Sequence, residues 1–211
     1  MSPRPYTLGK RQAAAAETRA DIIAAARTLL GGDAPAGFSI DAVARAADVA
    51  RMTVYHRFGS RAGLLEVVFD DLAERGEIAT NLPAALAQED PLAALDGFVA
   101  AFGTFWQAER LLLRRLHALA ALDPEVSAGN QAREERRRRL ARGLLTKLGD
   151  RYGRPAPTEL DVAVDLLFTL TAFETFDILA GSARGPRDVV PEVQRLVRAG
   201  LGLPPPNATA G

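Results

Sequence analysis

Apolar residues recur at helical spacing along most of this chain, and no stretch alternates apolar and polar residues long enough to predict a strand. The first helix is predicted over residues 10–30, with Ile22, Ala26, Leu29 and Leu30 on one face and Gly31 and Gly32 closing it. A short helix follows from Ser39, a good N-cap, with Phe38 and Val43 placed as a hydrophobic staple and Ile40, Val43, Ala44 and Ala47 as its inward stripe. The pattern breaks at Ala47-Asp48-Val49, resumes over 51–58 and stops at Gly59. Ser60 then caps a fourth helix, in which Leu64, Leu65, Val68 and Leu72 keep the period. Further helices are predicted near 91–106, 109–121, 124–149, 158–181 and 188–201, with Pro83, Pro91, Pro124, Pro155, Pro157, Pro186 and Pro191 at or near their starts. The expected fold is all-α with about nine helices. A three-helix helix-turn-helix domain spans 10–75 and a larger helical domain spans 76–203. Residues 1–9 and 204–211 read as tails.

Composition narrows the function classes. The 211 residues carry 26 basic and 26 acidic side chains, so a uniformly basic nucleic-acid coat is excluded. The charge is nevertheless uneven: residues 1–61 hold nine basic and five acidic residues, which leaves the remainder net acidic. Cysteine is absent, which removes disulfides and thiolate chemistry. No apolar run approaches the roughly 18 residues of a membrane span, and the first 20 residues lack a signal-peptide core. A cytoplasmic protein without membrane attachment is expected.

The two short helices joined by a tight turn have the proportions of a helix-turn-helix. Val54 and Phe58, four apart, are placed to face inward, which leaves Arg51, Thr53, Tyr55, His56 and Arg57 for a major groove and its walls. Residues 38–65 then resemble the signature of the tetracycline-repressor (TetR) family, with Val49, Thr53, Val54, Tyr55, Phe58, Arg61, Leu64 and Leu65 all in register. The resemblance implies a DNA-binding transcriptional regulator, expected to be a repressor released from its operator by a small, largely apolar effector. It implies that Thr53 and Tyr55 touch phosphates or base edges and that Met52 contacts a thymine methyl. Arg51 and His56 would set sequence preference, and Arg61 would clamp a phosphate. Lys10 and Arg11 would form a basic arm along the DNA, and Ser39, the N-cap of the short helix, is also expected to contact DNA.

Three positions depart from the family pattern. Asp48 stands where glycine is usual in the turn, and aspartate tolerates a left-handed backbone better than most residues. Asp41 stands where some members carry a basic base-reader, so that contact is expected to be missing. Ala50 replaces a hydroxyl cap, at a cost of roughly 1 kcal/mol to the recognition helix. Tyr55 also has a plainer reading, as a core aromatic with its hydroxyl at the rim. His56 has one as an ordinary surface residue. No metal site or cofactor is expected, because the only other histidine is His117 and neither has a carboxylate cluster beside it.

In the distal region, the basic run from Arg133 to Arg142 has three readings. It is a second nucleic-acid patch, a solvated face with i, i+4 ion pairs, or a partner for Glu159, Asp161, Asp165, Glu174 and Asp177 in the next segment. That segment, 158–181, is apolar on nearly every side, as expected of a helix buried between its own core and a second subunit. Val164, Phe168 and Phe176, with Val193, Leu196 and Val197 of the last helix, are the expected contacts of a four-helix homodimer interface. The family dimer forms through the same two helices and matches the two-fold symmetry of a palindromic double-stranded operator. Phe98, Phe102, Phe105, Trp106, His117, Phe168, Thr171, Phe173 and Glu174 are candidates for an effector pocket, against the plainer reading of core packing. A distal domain that binds protein instead of ligand is an alternative. A helical enzyme is the least supported one, because no Gly-x-Ser-x-Gly, phosphate loop or His-Glu-x-x-His is present.

Overall fold

The computed structural model describes residues 6–32 and 38–205, and among these the side chains of all but residues 6–11 and 157. Eleven α-helices account for most of them, with two short 3-10 turns and no strand among the described residues. The helices are α1 (Tyr6–Leu30), α2 (Ile40–Ala46), α3 (Arg51–Phe58), α4 (Arg61–Arg75), α5 (Ile78–Leu86), α6 (Pro91–Ala108), α7 (Arg110–Ala120), α8 (Pro124–Tyr152), α9 (Leu160–Leu170), α10 (Phe173–Ala180) and α11 (Val190–Gly200). Among the described residues, no helix is long and apolar enough to cross a membrane.

The chain forms two compact units. The first runs to Asp71 and takes in Arg114–Gly129, while the second comprises Leu72–Leu113 and the chain from Asn130. The expected first domain ended near residue 75 and did not include 114–129.

In the first unit, Ile22, Ala26 and Leu30 of α1, Ile40 and Val43 of α2, Val54 of α3 and Leu64 and Leu65 of α4 are all buried. Leu116, Leu119 and Val126 join this unit and are buried too. The residues of α1 to α4 lie on the stripes that periodicity marks, whereas Leu116, Leu119 and Val126 were not expected in this core. The Arg27 guanidinium donates to Asp71 at 2.6 Å and ties α1 to α4.

The core of the second unit is built on Leu95, Phe98, Val99 and Phe102 of α6, Leu144, Leu145 and Leu148 of α8, and Val164, Leu167, Phe176, Val193 and Val197 of the last three helices. Arg198 of α11, itself buried, reaches Asp96 of α6 through both Nε at 3.0 Å and Nη2 at 2.5 Å. This fork geometry orients as well as attracts.

Two features depart from the expected elements. Helix α5 lies where none was expected, with Pro83 inside it and not at its start. An interior proline removes one helical hydrogen bond, so α5 depends on packing. At Gly97 of α6 a Cβ would stand only 2.8 Å from the Ala85 Cβ, so the two helix backbones approach closely there.

The single helix expected over 158–181 is instead a 3-10 turn (Pro157–Glu159) followed by α9 and α10, broken at Thr171-Ala172. Thr171 donates its hydroxyl back to the Leu167 carbonyl at 2.7 Å. Its own carbonyl accepts from Arg137 Nη1 at 2.7 Å and Trp106 Nε1 at 3.1 Å. Two tertiary donors thus occupy the acceptor that a continuous helix would use, and Ala172 turns extended at ψ 152°.

This packing also corrects the expected contact surface. Val164, Phe176, Val193 and Val197 lie in the chain's own core, so they are not available to a second subunit. Phe168 is half-buried. Leu196 is exposed, and Val162 and Ile178 are the large apolar residues that α9 and α10 leave to solvent. Periodicity had marked the apolar residues of these helices but not which stripe faces inward.

Candidate nucleic-acid interface and aromatic cluster

The helix-turn-helix is built by local hydrogen bonds. Ser39 Oγ accepts from the Ala42 amide at 3.2 Å and starts α2. At its end the Val49 amide bonds the Ala44 carbonyl at 2.9 Å and the Asp48 amide bonds the Arg45 carbonyl at 3.3 Å. That pair of bonds is a Schellman motif, whose C′ residue must be left-handed. Asp48 occupies it at φ 51°, as the turn requires. Ala50 supplies no side-chain cap to α3. Gly59 ends α3 at φ 73°, and Ser60 Oγ accepts from the Gly63 amide at 3.0 Å to start α4.

On α3, Val54 and Phe58 point into the core. Arg51, Met52, His56 and Arg57 are exposed, while Thr53 and Tyr55 are half-buried at the rim. The residues expected on the groove side are therefore the ones that α3 leaves exposed or half-buried. Ser39 is exposed and caps α2. Lys10 and Arg11 belong to α1, but their side chains lie outside the described residues.

Arg51 is already engaged on this surface. Its Nη1 donates to Asp41 Oδ2 at 3.2 Å and its Nη2 to the Tyr55 hydroxyl at 3.3 Å, and the guanidinium lies 5.3 Å from the Tyr55 ring centre. The hydrogen bond to Tyr55, followed by the charge of Asp41, raises the arginine's pKa above its ordinary value.

Arg61, expected to clamp a phosphate, is held by carboxylates of the same unit. It bonds Asp123 through both terminal nitrogens and Glu125 at 2.5 Å, and its Nε bonds the Phe38 carbonyl at 3.4 Å. Burial works against both charges. The mutual hydrogen bonds outweigh it, holding the Asp123 carboxyl below the usual carboxylate range and raising Arg61. Asp123 Oδ1 also accepts from the amides of Glu125 and Val126, so the same carboxylate caps α8. Sequence reasoning missed Asp123 and Glu125, although Asp-Pro ahead of a helical run is a legible cap signal.

The second unit gathers most of the expected effector residues around the Thr171 carbonyl. Trp106 lies 5.7 Å from Phe102, 4.6 Å from Phe105 and 5.7 Å from Phe173 between ring centres, and Phe98 lies 5.0 Å from Phe102. Phe168 and Phe102 face the Arg137 guanidinium at 4.0 and 5.5 Å. Glu174 is exposed at the start of α10, whereas His117 belongs to the first unit.

Arg137 itself was not singled out. Burial pushes its pKa down to about 10, against the opposing charges of Glu134 and Glu174. Its register was legible, because Arg137, Ala141, Leu144 and Leu148 share the buried stripe of α8. The rest of the run pairs mainly with acids. Arg138 meets Asp165, Arg142 meets Asp161 at 2.5 Å, and Arg139 lies 3.9 Å from Glu135.

Comparison with known proteins agrees with this geometry. Residues 22–68 match the model of the bacterial regulatory proteins of the tetR family. No curated protein matches the sequence. Among solved structures, a TetR-like transcriptional regulator from Rhodococcus sp. RHA1 is similar at 18% identity and a TM-score of 0.65, over 88% of this chain and 96% of that one. The TetR-family regulator PfmR of Thermus thermophilus is similar at 20% identity and a TM-score of 0.63, over 86% and 97%. The fatty acid degradation regulator FadR of Bacillus halodurans is similar at 17% identity and a TM-score of 0.61, over 89% and 97%. Residues 22–68 thus match the helix-turn-helix region of the tetR family of bacterial regulatory proteins, and the fold of the chain is similar to that of TetR-like solved structures.

Proposed function

We propose that this DNA-binding regulator is a sequence-specific repressor that binds a palindromic operator as a homodimer and leaves it when a small, largely apolar effector binds the second unit. The observation that carries the reading is α3: its apolar stripe is spent on the core, and its whole outward surface is Arg51, Met52, Thr53, Tyr55, His56 and Arg57. Such a helix offers donors and a methyl-contacting side chain to base edges from its N-terminal half.

Homodimerisation is supported by Val162, Ile178 and Leu196, large apolar residues left exposed on α9, α10 and α11. Two copies would set their recognition helices about 34 Å apart on successive major grooves. The effector reading is supported by the convergence of Phe102, Phe105, Trp106, Phe168 and Phe173 near one buried cation. The resemblance of the fold to a fatty acid degradation regulator accords with an apolar ligand. A ligand releases DNA only by its differential affinity for the two states.

The test is fluorescence anisotropy with labelled DNA from the region flanking the protein's own gene, across a salt series. A sub-micromolar, sequence-preferring complex that weakens with salt is expected. Absence of any such complex overturns the reading.

A further inference from the structure

Arg51 is the first residue of α3, where the positive end of the helix dipole disfavours a cation. Its position is set by neighbours. Asp41, in the first turn of α2, accepts from Nη1, and Tyr55, one turn further along α3, accepts from Nη2 and lies against the guanidinium. Arg51 and Asp41 are both more than half exposed, at 57% and 56%, on the outward surface of the helix-turn-helix. An exposed ion pair adds little to stability. Its consequence is instead orientational, because two side chains from two helices hold one guanidinium in a single pose.

A guanidinium has five N–H donors, and these two bonds leave one on each terminal nitrogen together with Nε–H. That remainder suits the paired O6 and N7 acceptors of guanine in the major groove. Asp41 also works against the alternative partner. A carboxylate beside the guanidinium repels a phosphate, whereas its Oδ1 can accept from a cytosine amino group.

Resting on the DNA-binding reading above, we infer that Asp41 is a specificity-determining residue, which positions Arg51 to read a guanine edge and keeps it off the phosphate backbone. Arg51 makes the base contact, and Asp41 acts through it.

The experiment selects DNA from a random pool with the full-length protein, then measures affinities for the selected site and for variants at each position. Asp41→Ala, Asp41→Asn and Arg51→Ala are compared with the parent, with helical content checked by circular dichroism. The parent is expected to select guanine at one position of each half-site, with discrimination of about 5- to 150-fold, the range of a bidentate contact. Arg51→Ala should abolish that preference. Asp41→Ala should reduce it several-fold at that position alone, while overall affinity holds or rises because a negative charge has left the DNA side. Asp41→Asn keeps the shape of the side chain, so it supplies the same readout if the alanine variant folds poorly.

A uniform change in affinity across all sequences, with the guanine preference intact in both Asp41 variants, overturns the inference and leaves the DNA-binding reading standing. Failure of the parent to select any sequence overturns both.

Discussion

Asp48 shows how one side chain sits against its own backbone. The Schellman closure of α2 places it at φ 51°, a conformation that glycine adopts without strain and aspartate only at a cost. It is also an acid at a helix C-terminus, where the dipole disfavours negative charge. Asp48→Gly is therefore expected to stabilise the helix-turn-helix by about 0.5–1 kcal/mol, read as a higher urea midpoint with unchanged slope. An unchanged or lower midpoint would show that the left-handed strain is relieved by other means. The turn could be read in the sequence despite its missing glycine, because the flanking apolar stripes stay in register and aspartate is one of the few residues that tolerates αL. Asp41 was legible only as an anomaly. Its partner Arg51 lies ten residues away on another helix, and no helical period links the two.

Helix ends show where elements are decided by contacts from afar. Asp123 caps α8 and holds Arg61 with one carboxylate. Its folded pKa lies below the unfolded value, so the folded state binds fewer protons. The resulting stability is complete above the ordinary aspartate value, about 3.9, and is lost as pH falls through the folded pKa. Asp123→Asn should therefore flatten the acid limb of the stability profile below about pH 4, and Asp123→Ala should cost about 1–2 kcal/mol at neutral pH through loss of the cap. A parent-like acid limb in Asp123→Asn would place the acid sensitivity elsewhere.

The break between α9 and α10 follows the same logic. Arg137 and Trp106 donate to the carbonyl of Thr171. Arg137→Ala should cost about 2–4 kcal/mol, combining a cavity with a lost hydrogen bond to charge. Arg137→Met fills the same space without a buried charge and should stay within about 1 kcal/mol of the parent. Equal losses in the two variants would assign the whole effect to the guanidinium. The starts of α2 and α4 could be read in the sequence because the local caps Ser39 and Ser60 set them, whereas α1 begins at Tyr6, inside the segment expected to be a tail. The split of 158–181 could not, because its donors come from α6 and α8. Helix α5 escaped for a related reason: it keeps Pro83 in its interior and depends on packing against α6.

At the scale of the whole molecule, the separation of inward from outward apolar residues decides what a second copy can touch. Val164, Phe176, Val193 and Val197 are spent on the core, so charging any of them would test folding and not association. Val162 and Ile178 are 71% and 78% exposed and contribute little to the fold of a single chain. In the proposed homodimer these side chains lose their contact with water. A carboxylate introduced there would be desolvated without a partner, which costs several kcal/mol per buried charge. The double variant Val162→Asp, Ile178→Asp is therefore expected to keep parental helical content and melting temperature at high dilution, yet to sediment at half the parental mass. Binding to a two-fold operator should weaken by at least about tenfold, the equivalent of 1.4 kcal/mol, because each half-site is then bound separately. Binding to an isolated half-site should be unchanged, since α3 is untouched. A parent that sediments as a monomer at all concentrations, or a charged variant that still dimerises, would remove these helices from the interface and leave the helix-turn-helix to bind DNA in some other assembly.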